Sequence, residues 1–123
     1  MMASKIKSFE DLEIWKLSHS LVLEIYKITK TFPKSEDYIL TQQIVRAAQS
    51  IPTNIAEGMG RFSKKEFIQF LIFPRGSVEE TKYHLILAKD LGYLDEIKFE
   101  YLKNNYTLLG KKINALISSI KSK

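Results

Sequence analysis

The sequence predicts an all-α fold, an antiparallel up-down-up-down four-helix bundle, and three observations carry that expectation. Apolar residues recur at helical spacing through almost all of the 123 residues. No stretch alternates apolar and polar residues long enough to make a half-buried strand. The breaks between periodic segments are short, which makes consecutive helices pack antiparallel. Helices are expected at roughly 11–31, 38–57, 63–91 and 95–119. They form a single domain over residues 1–123, with 1–8 as a flexible N-terminal tail.

In the first helix Ile14, Leu21, Ile25, Ile28 and Phe32 step along one face, and Trp15, Val22 and Tyr26 widen it. Ser8 and Asp11 make a capping box with Asp in place of the usual Glu. Phe32-Pro33 ends the helix, because the residue before a proline is pushed out of the helical region. In the second helix Leu40, Ile44, Ala47, Ile51 and Ile55 set the period. Pro52 removes one backbone hydrogen bond there, yet the period passes through it, so a bend rather than a stop is expected. Gly58 is expected to close the helix with a backbone that other residues adopt only at a cost.

Ser63 and Glu66 open the third helix with the clearest capping box in the chain. Its stripe is Phe67, Leu71, Pro74, Val78, Thr81, Leu85 and Ala88. By local rules Pro74-Arg75-Gly76 is a turn that splits this helix. The stripe staying in phase across it favours one bent helix. Leu102, Leu109, Ile113, Leu116 and Ile120 carry the face of the fourth.

Composition narrows the function. With 45% apolar and 27% charged residues the chain is ordinary globular material. The absence of cysteine excludes disulfides, thiolate metal sites and a thiol nucleophile. His19 and His84 are too few for a multi-histidine metal site or a histidine-centred triad. The expectation is a non-enzyme with no catalytic residue, metal or cofactor. The N-terminus lacks the apolar core of a signal peptide, and no apolar run reaches the roughly 18 residues that span a bilayer. A cytoplasmic location without membrane contact follows.

The formal charge is +5, and its distribution is uneven: all 14 acidic residues and 14 of the 19 basic ones lie in residues 1–100. The excess is Lys103, Lys111, Lys112, Lys121 and Lys123. These make either a solvated helix face with favourable lysine–dipole contacts or a site for a polyanion. Arg61, Lys64 and Lys65 form a second basic group at the third helix start. Most Phe and Tyr fall on or beside core stripes, so no exposed aromatic platform for single strands is expected. Residues 67–73 are apolar nearly all round the helix. Ile68, Ile72 and Phe73 there belong either to a thick local core or to a subunit interface.

Ser50-Ile51-Pro52-Thr53-Asn54-Ile55-Ala56-Glu57-Gly58, followed by Arg61, Ser63, Glu66 and Phe67, resembles a bacterial four-helix-bundle family encoded in intervening sequences of 23S ribosomal RNA genes. Leu12-Glu13-Ile14-Trp15-Lys16, Arg46-Ala47-Ala48, Arg75-Gly76-Ser77 with Glu80, and Leu91-Gly92-Tyr93 extend the resemblance over about residues 9–120. It implies a homopentameric ring, related in fold to the basic, nucleic-acid-binding accessory protein of diversity-generating retroelements. The partners it implies are copies of the chain itself and RNA or DNA held by the basic patches. A protein partner is the alternative. Pro74, Thr81 and His84 depart from the family pattern, which puts a straight third helix and one core layer in question. The motif residues read as structure rather than catalysis. Ser63 and Glu66 cap, Pro52, Asn54 and Gly58 shape the second helix, and Arg46, Glu57, Arg75 and Glu80 are expected in a buried polar network between helices two and three.

Overall fold

The structure, a computed structural model, describes residues 7–122. Four helices account for most of them: α1 (Glu13–Thr29), α2 (Leu40–Met59), α3 (Lys64–Asp90) and α4 (Glu96–Lys121). No strand occurs among the described residues. The Ser8 capping box is fully reciprocal, but it caps a separate 3-10 turn, Phe9–Asp11, so α1 begins two residues later than the sequence suggests. A second 3-10 turn, Lys34–Glu36, follows Pro33. Both Pro52 and Pro74 lie inside unbroken helices, which resolves the Pro74-Arg75-Gly76 alternative in favour of one helix. Each proline is buried on the apolar side. Burial of the ring offsets the lost backbone bond in place of a break.

Residue pairs between helices fix the directions. Gly58 of α2 lies against Phe67 and Phe70 of α3, while Ser50 meets Ser77 at 2.7 Å, so moving back along α2 moves forward along α3. Gly110 of α4 lies against Val78, and Phe99 lies under the Lys89 ammonium at 4.3 Å. Between α1 and α4, Glu13 pairs with Lys112 at 3.1 Å and Glu24 with Lys98 at 4.0 Å. All three seams run antiparallel, and α1 also packs on α2, which completes the up-down-up-down order.

One core runs between the helices. Ile25, Ile44, Ile51, Ile55, Leu71, Leu85, Leu102, Leu109 and Ile113 are fully buried, as the helical periods require. Thr81, the departure on α3, is also fully buried. Its hydroxyl donates to the Ser77 carbonyl at 2.8 Å, so the polar atom costs the layer little. Tyr106 is the largest buried side chain. Its hydroxyl has no partner among the described residues, and burial raises the phenol pKa well above its ordinary value.

Candidate nucleic-acid interface

The lysines of α4 do not form one patch. A helix turns 100° per residue, so Lys111 and Lys112 point to different sides of the bundle. Lys112 is committed to Glu13 across the α1–α4 seam. Lys103 is half-buried and leans on the Phe99 ring at 5.7 Å, beside Lys89. Lys111 and Lys121 are exposed and make no ion pair with any described residue. Lys123 lies outside the described residues. Among the described residues the C-terminal excess of charge is therefore two exposed lysines on α4 without an ion pair, Lys111 and Lys121, rather than a continuous stripe.

The second basic group fares better. The antiparallel α3–α4 register brings the start of α3 to the level of the end of α4. Lys64 and Lys65 thus share one end of the bundle with Lys121, and both are exposed without an ion-pair partner among the described residues. Lys111 lies about 15 Å further back along α4. Two of the nearby acids are ion-paired, Glu57 with Arg61 at 3.2 Å and Glu13 with Lys112, while Glu66 accepts from the Ser63 hydroxyl at 3.2 Å and keeps its charge. Arg61 itself is less available than the sequence suggests. Its guanidinium stacks 4.4 Å from the Phe70 ring centroid while holding Glu57.

The turn that carries these groups is firmly built. The Ser63 side chain accepts from the Glu66 N–H at 3.1 Å, the expected helix cap. The Arg61 N–H donates to the Gly58 carbonyl and the Gly60 N–H to that of Glu57, both at 3.1 Å. Gly58 works differently from the expectation. It is a helical residue, not the terminator, and Gly60 caps α2. A Cβ on Gly58 would lie 2.8 Å from the Phe70 Cβ and 3.0 Å from Phe67, so the glycine permits close approach of α3. Asn54 donates to the Ser50 carbonyl at 2.7 Å, inside α2, as a structural residue.

The expected buried network of Arg46, Glu57, Arg75 and Glu80 does not form. All four are exposed: Glu57 pairs with Arg61 within its own turn, and Glu80 lies 3.3 Å from His84 one turn on. Their azimuths turn them out of the α2–α3 seam, which avoids the desolvation cost of burying four charges. In the apolar run, Ile68 packs partly against the core, whereas Ile72 and Phe73 stay 44% and 53% exposed. The run thus divides between the two readings: Ile68 thickens the core, and Ile72 and Phe73 form an uncovered apolar face. The expectation of no exposed aromatic platform is also corrected. Phe62 is fully exposed, between Arg61 and Ser63. Its signal was local: it lies between a helix stop at Gly60 and a helix cap at Ser63, off every core stripe.

Between them α1 and α2 line an open groove of about 700 Å³ formed by Trp15, Val22, Leu23, Tyr26 and Pro52, with Gln49 and Glu57 among its polar residues. His19 stacks on Trp15 there at 5.0 Å, and Tyr26 accepts from Gln49 at 3.1 Å. No described group of three or more His, Asp and Glu residues is arranged to hold a metal ion. No helix is long and apolar enough to cross a membrane.

Fold and site together define an antiparallel four-helix bundle that carries three exposed lysines without an ion-pair partner among the described residues, Lys64, Lys65 and Lys121, at one end. The chain belongs to the family described as 23S rRNA-intervening sequence protein, which residues 10–115 match. Among solved structures it is similar to a protein with unknown function from the S23 ribosomal protein family of Bacteroides thetaiotaomicron. The likeness has a TM-score of 0.78 at 25% identity, over 85% of this chain and 97% of that one. No curated protein matches the chain.

Proposed function

We propose that the protein is a non-enzymatic, cytoplasmic homo-oligomer, a pentameric ring, that binds RNA or DNA through basic patches repeated on each subunit. The observation that carries this reading is the sharing of one bundle end by Lys64, Lys65 and Lys121, with the acids Glu13 and Glu57 already ion-paired. Lysines meeting phosphates bind without regard to sequence and release counterions. A ring multiplies a weak patch by avidity, and five copies carry a formal charge of about +25. Ile72 and Phe73 support self-association, since an uncovered apolar face gains by meeting another subunit.

Titration of generic RNA at low and high salt tests the binding. Replacing Lys64, Lys65 and Lys121 with Gln is expected to lower the slope of log affinity against log salt by about 2 for single strands. The same change at Lys103 and Lys112 is expected to do less, since both are occupied within the subunit. Absence of binding at low ionic strength rejects the reading. Light scattering tests assembly: Ile72→Lys with Phe73→Lys is expected to reduce a multimer to the 14.3 kDa chain. A second reading, an adaptor for a protein partner, is favoured by the apolar α1–α2 groove. It expects the same ring with no affinity for polyanions.

A further inference from the structure

We infer that Phe62 is a base-stacking platform, so that the ligand of the basic end is single-stranded nucleic acid; the inference rests on the nucleic-acid reading above. Phe62 is the most exposed of the described large apolar side chains, with its whole ring in solvent. Burying a Phe is worth roughly 1.5–3 kcal/mol, so its position in solvent calls for a physical reason. The turn supplies one. The Arg61 N–H is tied to the Gly58 carbonyl and Ser63 is tied to the first turn of α3, which fixes the backbone on both sides of the ring. The preceding Arg61 is turned to the Phe70 ring, 4.4 Å from its centroid, and not to Phe62. No aromatic side chain pairs with it among the described residues.

The surroundings select the occupant. Arg61 precedes the ring, Lys64 and Lys65 follow it, and Lys121 lies at the same end of the bundle. An apolar protein segment gains nothing from three lysines, whereas a polyanion that also offers flat apolar faces uses both features. Unpaired nucleotides have that chemistry: phosphates for the lysines and an open base for the ring. A regular duplex hides its base faces in the stack and leaves Phe62 idle. The site is sequence-tolerant and takes RNA and DNA alike, because every base has a π-face.

The test measures labelled short oligouridine, short oligothymidine and an RNA duplex of equal length against the full-length protein. The wild type is expected to prefer both single strands to the duplex. Phe62→Ala is expected to weaken single-strand binding about tenfold, with the salt slope and the duplex affinity unchanged. Phe62→Tyr restores binding and Phe62→Leu does not, which separates stacking from mere apolar contact. Phe62→Trp adds a second indole to the chain's single Trp15, and its emission is expected to be quenched by oligouridine. Wild-type-like binding by Phe62→Ala, full rescue by Leu, or equal affinity for duplex overturns the inference while leaving the nucleic-acid reading in place. No binding of any of the three ligands by the wild type overturns both. A fall in oligomer mass for Phe62→Ala overturns the inference by assigning the ring to a subunit contact.

Discussion

The two sides of the bundle are held by different means. At the α2–α3 seam the backbones close on small residues: Gly58 lets α3 approach until an added Cβ would sit 2.8 Å from its neighbour, and the Ser50 and Ser77 hydroxyls meet at 2.7 Å. At the α1–α4 seam long side chains reach across: Lys112 to Glu13 at 3.1 Å and Lys98 to Glu24 at 4.0 Å. Shallow clefts of about 340 and 360 Å³ flank these two contacts. Close packing transmits position, whereas exposed ion pairs tolerate movement. The candidate groups Phe62, Lys64 and Lys65 and the apolar face of Ile72 and Phe73 all belong to the tighter half. A binding surface mounted there is pre-organised by the seam beneath it.

The largest effect is expected from breaking the tight seam at its narrowest point. Gly58→Ala places a methyl where backbone-linked carbon of Phe70 already lies, and overpacking of this kind costs about 1–3 kcal/mol. Chemical denaturation is expected to show the loss as a lower midpoint at unchanged m-value. Gly76→Ala on α3 is the control. A Cβ there meets nothing within 4 Å, so the variant is expected to gain about 0.5–1 kcal/mol from helix propensity. Opposite signs from two glycines separate packing from propensity. Equal signs would remove close approach as the cause. Next in size, Ser77→Ala deletes the half-buried hydroxyl bond to Ser50, with an expected cost of about 1 kcal/mol.

These glycines also show how far a sequence can be read. The stripes predicted the buried faces of all four helices, except that Tyr26 is exposed and Leu116 and Ile120 are only partly buried, because a 3.6-residue period is a property of the chain itself. Helix ends were placed to within a few residues, since Ser63 and Asp95 announce their caps. Gly58 could not be read the same way: one letter serves both a left-handed terminator and a close approach, and only the position of Phe70 decides between them. Gly92, with φ of 85°, is the one in the left-handed region. The charge excess was visible as a count, but its use depends on azimuth and on partners remote in sequence, such as Glu13 for Lys112. Phe62 was legible from its place between two caps. Its setting among cations is not legible there, because only the antiparallel α3–α4 register brings Lys121 to the same end.

The looser side predicts smaller effects of another kind. Lys112→Gln removes an ion pair whose Glu13 partner is largely exposed, and the expected change is within about 0.5 kcal/mol. High salt is expected to reduce even that, whereas the uncharged Gly58 and Ser50–Ser77 contacts should not respond to salt.

The smallest expected effect is tied to pH and lies at the entry to α1. Asp11 accepts the backbone N–H groups of Lys7 at 2.8 Å and Ser8 at 3.1 Å. These two bonds, the Lys7 one first, hold its carboxyl below the ordinary value of 3.8. A lowered folded-state pKa means that the unfolded chain takes up the proton first as acid is added. The stabilisation is therefore present above the ordinary carboxylate range and is lost as pH falls through the folded-state value. Asp11→Ala is expected to flatten that part of the stability–pH curve and to leave the neutral-pH effect of Gly58→Ala unchanged, because the two sites share no partner. Additivity of the double variant, measured by denaturation at neutral and acid pH, would keep the capped entry to α1 energetically separate from the α2–α3 seam. Coupling between them would mean that the tight seam extends to the whole end of the bundle.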